Sequence, residues 1–413
     1  MQTNSTNDTY TRQAKVDWDN IRAQFNLSKE YIHLASSQFL ASMPTPVREA
    51  IHRYQQALDK DPELYTEENE DPLMQNTRKA VARYFGHPEP DDLAMTDSTT
   101  MGLGITYSGL GLEKGQEILT TEHDHYSHHE SIRGVTYRYG ASFRRVPMYE
   151  NLAEVTQEEM VHSIVNAIGE QTRVVGITWV HSSTGLKTPV TQIAQAIAKL
   201  NQSRDKDNKV LLLVDGVHGF GIERETFQEL GCDFFVSGCH KWAYGPRGTG
   251  FVAATSEAWQ HVTPVIPSFT DVMDIVIAEK ERPNKMNGKQ MTPGGFHSLE
   301  YRWALNDAIQ FLESIGKEEI YERVHYLNRL CKEGLASMPH VTLHTPLDDE
   351  LSAGIISFEV DGLSTEDVVK RMLEQKITCT AAPYLTSYAR FTPGIYNTEE
   401  EIEKALAAVN SLK

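Results

Sequence analysis

The stretch LLLVDGVHGFGIERETFQELGCDFFVSGCHKWAYGPRGTG, from Leu211 to Gly250, joins two apolar runs that each lead into a charged residue. The first run ends at Asp215, and the second leads into Lys241. Short apolar runs bounded by glycine are typical of parallel strands that are buried on both faces. The carboxyl ends of such strands share one edge of the sheet, where ligands bind. We therefore expect Asp215 and Lys241 to lie at the same edge.

The alternation of β-rich runs and helical patterns continues on both sides of this stretch. It predicts an α/β protein with an open sheet of parallel strands. After an amphipathic helix, SLEYRWALNDAIQFLESIG, the remaining residues predict a smaller α/β domain. We expect an N-terminal arm over residues 1–30 and a large domain over 31–295, whose N-terminal segment contributes to the small domain. The linking helix and the small domain should occupy 296–413.

Composition excludes several classes of protein. The 413 residues carry a formal net charge of -18, which disfavours binding to nucleic acid or to anionic membranes. No apolar run has the length of a membrane span, and the polar N-terminus lacks the apolar core of a signal peptide. The four cysteines show no CxxC spacing, so they indicate neither a disulfide scaffold nor a zinc site. We expect a reducing, cytoplasmic compartment.

One cofactor requires both an acid and a lysine. Pyridoxal 5′-phosphate (PLP) bonds covalently to a lysine amine, while a carboxylate keeps its ring nitrogen protonated and so makes the ring an electron sink. Lys241 and Asp215 fit these two roles. His218 follows Asp215 closely enough to reach the phenolic oxygen of the ring, and Ser237 and His240 flank the lysine and can donate to the phosphate.

The segments VDGVHGFG and SGCHKWAYGPRGTGF resemble the class V aminotransferase family of fold-type I PLP-dependent enzymes. That family includes cysteine desulfurases, isopenicillin N epimerase-like enzymes and C–S lyases. The resemblance extends from about Tyr31 to Val409. It implies a large domain with a mostly parallel, seven-stranded sheet, a smaller C-terminal α/β domain, and a homodimer with shared active sites.

The resemblance also implies further cofactor contacts. The segment AMTDSTTMGLG matches the turn that holds the phosphate, where Ser98, Thr99 and Thr100 precede a helix N-terminus that favours an anion. His123, in LTTEHDHYSHHES, matches the ring that stacks on the pyridine face. Thr292, in MTPGGFHSLE, matches the segment that approaches a phosphate, either of its own subunit or of the neighbouring one.

Substrate contacts follow from the same resemblance. Arg390, in YARFTPGIYNTEEEIEKAL, matches the residue that binds the substrate α-carboxylate with a two-bond fork. Ser36 and Ser37 match a segment that crosses the cleft. In TWVHSSTGLKTPV, His181 and Ser182 are both candidates for a contact with the substrate or the cofactor oxygen, and Tyr126 is a candidate for the pocket.

The histidine-rich segment allows a second interpretation. His123, His125, His128 and His129 could suggest a metal site, but no cysteine or second acidic cluster supports one. We therefore expect no metal. The roles of His125, His128 and His129 stay open between the substrate pocket and the protein surface.

The sequence leaves the reaction open among several alternatives. β-Elimination from a cysteine S-conjugate or its sulfoxide, giving pyruvate and ammonia, is favoured because the imidazole-rich loop suits a heteroaromatic substrate. Epimerisation of an amino acid or peptide is the second alternative. Cysteine desulfuration is disfavoured, because Cys379 matches a strand rather than the mobile loop that carries the nucleophile. A catalytically silent regulator with this fold is the alternative of another class, and the intact lysine and arginine argue against it.

Overall fold

A computed structural model describes residues 16–281 and 286–412, without the side chains of Ser36 and Gln38. The described helices, in chain order, are α1 Trp18–Ala23, α2 Ser36–Phe39, α3 Thr45–Lys60, α4 Pro62–Phe85, α5 Thr99–Gly109, α6 Tyr126–Tyr139, α7 Gln157–Ala167, α8 Val190–Asn201, α9 Phe227–Leu230, α10 Asp271–Ile277, α11 Gly288–Met291, α12 Leu299–Ile315, α13 Lys317–Ala336, α14 Thr365–Glu374 and α15 Glu399–Asn410. The described strands are β1 Ile32–His33, β2 Leu93–Thr96, β3 Glu117–Thr121, β4 Ser142–Val146, β5 Thr172–Thr178, β6 Leu211–Asp215, β7 Phe234–Gly238, β8 Gly250–Ala254, β9 Val341–Leu343, β10 Ile356–Val360, β11 Ile377–Thr378, β12 Thr380–Ala381 and β13 Ala389–Phe391.

The central sheet has seven strands in the order β2-β8-β7-β6-β5-β3-β4. Only β8 runs antiparallel to its neighbours, so the sheet is mostly parallel, as the sequence predicts. Every residue of β6 and β7 is buried, which explains why these strands appear in the sequence as unbroken apolar runs. In the register of the sheet, Asp215 lies beside Thr178 of β5 and Val236 of β7.

A second, antiparallel sheet with the order β12-β13-β10-β9 forms the C-terminal part of the chain. Its apolar core includes Phe358, Phe391 and Cys379, and also Leu34 from the N-terminal segment. The short strand β1 pairs in parallel with β11, so the N-terminal segment joins this C-terminal part as expected.

Helix α12 connects the two parts of the chain. It packs on α3 and α4, and its Trp303 and Leu305 are buried in the core beside the central sheet. The helix that we expected to belong with the small domain therefore packs on the large one, whereas the next helix, α13, packs on α15 and β9. The domain boundary near residue 296 stays a prediction.

The predicted N-terminal arm is only partly described, because residues 1–15 lie outside the described residues. The remainder of the arm is packed rather than free. Asp17 caps α1 by accepting from the Asn20 N–H at 3.0 Å, and Arg22 donates to Glu401 at 2.9 Å. Phe25 is buried against the rings of Tyr244 and Tyr396. In the described part of the chain, no helix is both long and apolar enough to cross a lipid bilayer.

Candidate active site

A cavity of about 300 Å³ lies at the carboxyl-end edge of β6 and β7. It contains most of the residues predicted around the acid and the lysine: Ser98, Thr99, Thr100, Ser182, Asp215, His218, His240 and Lys241. Further side chains complete its lining: Phe39, His125, Ser127, Thr178, Val180, Val217 and Pro383. Asp215 and Lys241 thus lie at one site, as expected from their positions at the ends of two buried strands.

Lys241 contacts His218 directly. The Lys241 Nζ atom lies 2.8 Å from His218 Nε2, and the indole N–H of Trp242 donates to His218 Nδ1 at 3.3 Å. An indole nitrogen can only donate, so Nδ1 accepts and a neutral His218 carries its proton on Nε2. The Nε2–H group points to the lysine nitrogen, which accepts this hydrogen bond when it is an uncharged amine.

Burial changes the ionisation of both key residues. Desolvation raises the pKa of Asp215 above its usual range, although a hydrogen bond from the Val217 N–H at 3.2 Å and the nearby Lys241 oppose the change. Desolvation lowers the pKa of Lys241, and the positive charge of Arg390 lowers it further, while Asp215 acts in the opposite direction. The site therefore favours a free lysine amine.

Helix α5 begins at the cavity. Its N-cap residue, Ser98, accepts a hydrogen bond from the Met101 N–H at 3.1 Å, and the Thr99 hydroxyl accepts from the Gly238 N–H at 2.8 Å. The remaining N–H groups of the first turn and the helix dipole form a site that favours an anion. His240 adds a buried Nδ1 atom that makes no hydrogen bond to any described residue.

These residues fit PLP as the sequence predicts it. The helix N-terminus and His240 suit the phosphate, and the buried carboxylate of Asp215 suits a protonated ring nitrogen. His218 presents an N–H toward the lysine end of the cavity, where the phenolic oxygen belongs. The uncharged amine of Lys241 is the nucleophile that the covalent bond requires.

His125, and not His123, lines the cavity. The His123 ring stacks on Tyr149, with ring centroids 4.4 Å apart, so the structure does not support the predicted contact between His123 and the cofactor. The cause is Asp124, a buried residue that accepts from Thr121 and from the Thr178 N–H, both at 2.8 Å. Because Asp124 is held in this way, the neighbouring side chains of His123 and His125 point in different directions.

Asp124 is an ionised group that sequence reasoning missed. Burial alone would raise its pKa, but His128, His181 and hydrogen bonds from Thr178 and Thr120 hold that pKa at about 2. The carboxylate therefore stays charged and ties β3 to β5 next to the cavity. No sequence signal distinguishes it from an ordinary turn aspartate.

The other histidines of this segment serve local structure. His128 Nε2 lies 2.6 Å from the Tyr107 hydroxyl, and His129 Nε2 donates to the Thr121 carbonyl at 2.8 Å. His125 Nδ1 lies 2.9 Å from the Ser127 hydroxyl at the start of α6. One ring nitrogen of each histidine is thus engaged at a separate place, and His128 and His129 lie outside the cavity lining.

Two predicted phosphate contacts are not supported by the structure. Ser237 is fully buried, and its hydroxyl donates to the Gly238 carbonyl at 3.0 Å instead of lining the cavity. Thr292 is also buried, and its hydroxyl accepts from the Met95 N–H at 3.1 Å and from Arg78 at 3.4 Å. Both hydroxyls are occupied by protein groups of their own chain, which explains the difference.

Arg390 lies in β13, fully buried beside the cavity. It donates to the carbonyl oxygens of Ser182 and Ala381, the latter at 2.9 Å, while its Nε atom makes no hydrogen bond to a described residue. Desolvation lowers its pKa to about 10, so it stays charged at neutral pH. Its charge lowers the pKa of both Lys241 and His218, so the guanidinium is close to the reacting groups.

The two candidates next to β5 point to different places. The Ser182 hydroxyl lines the cavity and lies 2.5 Å from the hydroxyl of Tyr384, a residue that the sequence analysis missed. His181 is buried away from the cavity lining, where its ring contacts the His123 carbonyl and the Thr188 hydroxyl, both at 3.1 Å. Ser182 is therefore the candidate that faces the ligand.

The remaining predicted substrate contacts do not line the cavity. The Ser36 side chain lies outside the described residues, and Ser37 is fully buried. Tyr126 is the first residue of α6, and its side chain is 71% exposed. Among the described side chains of the segment that contains Ser36 and Ser37, Phe39 is the one that reaches the cavity.

The chain is similar to known proteins along most of its length. The family model described as "Aminotransferase class-V" matches residues 40–405. A probable cysteine desulfurase of Halalkalibacterium halodurans is 25% identical over 357 residues, which cover 82% of each chain. Isopenicillin N epimerase of Streptomyces clavuligerus is 24% identical over 414 residues, which cover 97% of this chain and 99% of the epimerase.

Solved structures show the same fold. A mutant of C-DES with glycine covalently linked to its PLP cofactor superposes with a TM-score of 0.84 at 23% identity, covering 95% of this chain and 99% of the other. The cystine C–S lyase C-DES in complex with cysteine persulfide gives a TM-score of 0.81 at 24% identity, covering 93% and 97%. The predicted fold-type I architecture is thereby confirmed.

Proposed function

The chain belongs to the aminotransferase class V family, whose cofactor is pyridoxal 5′-phosphate, and from that membership we propose that it is a C–S lyase. It acts at Cα of an amino acid and eliminates a sulfur group from Cβ. The substrate is a cysteine S-conjugate or its sulfoxide. The products are a sulfur compound, pyruvate and ammonia.

The residues that would hold the cofactor are those of the cavity. Lys241 would bind it covalently, Asp215 would pair with its ring nitrogen, and the N-terminus of α5 with His240 would hold its phosphate. His125 is the ring available to stack on it. Bound there, PLP supplies an electron sink that stabilises negative charge at the substrate Cα.

The residues of this chain supply the proton transfers and the orientation. Arg390 binds the substrate α-carboxylate and fixes which bond at Cα faces the lysine. Lys241, an amine with a lowered pKa, takes the proton from Cα. The Cβ–S bond then breaks, and its electron pair leaves with sulfur. The released enamine adds water and loses ammonia, which gives pyruvate.

The burial of Cys379 is the observation that favours a lyase over a cysteine desulfurase. Desulfuration needs a reachable thiolate, because the thiolate is the nucleophile. Cys379 is packed in the core of the C-terminal sheet, and desolvation raises its pKa to about 12. The other three cysteines, Cys232, Cys239 and Cys331, are also buried free thiols. None of them lines the cavity.

Epimerisation is the second candidate, favoured by the near-complete coverage of isopenicillin N epimerase. It would also begin with proton removal at Cα, but it needs a second proton donor on the opposite face of the substrate. A silent regulator would need neither a lysine with a lowered pKa nor a charged, buried arginine, and the lowered pKa of Lys241 and the buried Arg390 argue against it.

The experiment offers cysteine S-conjugates and their sulfoxides to the holoenzyme, including conjugates that carry imidazole. Pyruvate is assayed alongside the chirality of the recovered substrate. The lyase predicts pyruvate with unchanged chirality in the remaining substrate. Inversion at Cα with no pyruvate from any sulfur substrate would replace the lyase with the epimerase.

A homodimer in the cytoplasm is part of the same proposal. Large apolar side chains are exposed in one segment and at the residue that follows Gly294–Gly295: Val265, Ile266, Phe269, Met273, Val276, Ile277 and Phe296. An exposed apolar surface of this kind favours a protein partner. Free thiols at all four cysteines suit a reducing compartment.

A further inference from the structure

A pair of hydroxyl groups lies at the edge of the cavity. The Ser182 Oγ and Tyr384 Oη atoms are 2.5 Å apart, although the two residues are 202 positions apart in the chain. Ser182 lines the cavity, and so does Pro383, the residue before Tyr384. The tyrosine lies in the short segment that connects β12 to β13 of the C-terminal sheet. This segment contacts the loop that follows β5 of the central sheet.

The residues around this hydroxyl pair also hold Arg390, which is predicted to bind the substrate α-carboxylate. Arg390 donates to the Ser182 carbonyl and to the Ala381 carbonyl, three residues before Tyr384. The Tyr384 ring also meets the His125 ring edge-on, with centroids 6.0 Å apart and planes at 79°. The hydroxyl pair is thus fixed between Arg390 and a ring that lines the cavity.

Counting protons shows what the pair can do. Two hydroxyl groups carry two protons, and the bond between them uses one. No other described residue forms a hydrogen bond with either hydroxyl. One O–H therefore stays free to donate. Desolvation raises the pKa of Tyr384 to about 12, which keeps the phenol protonated and a donor through the neutral range.

We infer that the Ser182–Tyr384 pair donates a hydrogen bond to an acceptor on the substrate side chain. The inference rests on the proposed action at Cα and deepens it by naming a substrate class. A side chain with an acceptor oxygen next to sulfur, such as a sulfoxide, accepts the hydrogen bond from the free O–H of the pair. A plain thioether leaves a donor unpaired and binds more weakly, because a site built to hydrogen-bond rejects an analogue that lacks the partner.

Equilibrium binding to the holoenzyme tests this inference without turnover. The probes are the α-methyl derivatives of S-methylcysteine and of its sulfoxide, which lack the Cα proton and cannot be eliminated. Their dissociation constants are read from the visible spectrum of the bound cofactor. We expect the wild type to prefer the sulfoxide by about ten-fold, the value of one well-placed hydrogen bond.

The double variant Ser182→Ala/Tyr384→Phe should reduce this preference to about two-fold or less, because either single change would leave one O–H free to donate. Affinity for the thioether should fall less than affinity for the sulfoxide, because the thioether has no acceptor oxygen. Tyr388→Phe is the matched control, since this tyrosine of the same segment stacks on His344 and does not line the cavity, and it should keep the full preference.

A wild type without preference, or a double variant that keeps it, would overturn the inference. Equal weakening of both probes would also overturn it, since that pattern indicates a structural role only. The proposed function would survive all three results if Lys241 still binds the cofactor and pyruvate still forms. Loss of pyruvate formation in the wild type would instead count against the function itself.

Discussion

The Lys241 Nζ atom lies 2.8 Å from His218 Nε2, while Trp242 donates to the opposite nitrogen of the same ring. This chain of contacts sets the tautomer of His218 and presents a proton to the lysine nitrogen. A charged ammonium has no lone pair to accept a hydrogen bond from the Nε2–H group, so the arrangement stabilises the free amine of Lys241. Desolvation of Lys241 acts in the same direction. Both effects prepare the residue to form a covalent bond and to remove a proton.

Asp215→Asn should stabilise the apoprotein but impair the enzyme. The folded-state pKa of Asp215 is raised by desolvation, so its ionisation destabilises the fold as pH rises through that value. Asparagine cannot ionise. The variant should therefore gain on the order of 1–3 kcal/mol over the wild type at pH 8 and much less at pH 4, close to the unfolded pKa.

Thermal unfolding of the two apoproteins between pH 4 and pH 8 measures this difference. In the holoenzyme the same change should slow exchange of the Cα hydrogen in heavy water, because the ring nitrogen loses its anionic partner. A difference in Tm that shrinks as pH rises would contradict the buried, ionising role of Asp215.

Arg390→Lys should not restore function, although it keeps the positive charge. A lysine ammonium cannot reproduce the planar fork that binds a carboxylate with two hydrogen bonds. We expect a loss of about 2–4 kcal/mol in transition-state binding, measured as kcat/KM with the true substrate. The control is Arg83→Lys, because Arg83 forms an exposed ion pair with Glu313 and should tolerate the exchange. Near-normal kcat/KM in Arg390→Lys would place the carboxylate contact elsewhere.

Cys379→Ser should retain most activity and lose about 1 kcal/mol of stability, because it places a hydroxyl in an apolar core. Cys331→Ser is the matched control, since Cys331 is buried in the same core. Turnover and urea unfolding of both variants provide the comparison. If Cys379→Ser alone abolished activity with its fold intact, cysteine desulfuration would become the preferred reaction.

His125→Ala and His123→Ala form a pair that tests the correction at this loop. His125 lines the cavity, so its loss should shift the visible spectrum of bound cofactor and weaken its binding by about ten-fold. His123→Ala removes a ring that stacks on Tyr149 and should change only stability. The opposite pattern would restore His123 as the stacking residue.

The sequence predicts the strands and their ligand-binding edge well, because β6 and β7 are mostly apolar and buried throughout, and they end at Asp215 and at Gly238, three residues before Lys241. It fails at the turn after β3, since a buried Asp124 with four hydrogen bonds decides which neighbouring histidine faces the cavity. The contact between Ser182 and Tyr384 could not be predicted either. It depends on how the C-terminal sheet packs on the large domain, and no local pattern encodes that packing.

Reduction of the holoenzyme with borohydride, followed by peptide mapping, tests the central claim most directly. The claim is that the uncharged amine of Lys241 holds the cofactor at the edge of the sheet beside Asp215. We expect a yellow protein and a cofactor fixed to the peptide that contains Lys241. The Lys241→Ala variant should lose both the colour and the label. A label on any other lysine, or a coloured Lys241→Ala variant with normal turnover, would contradict it.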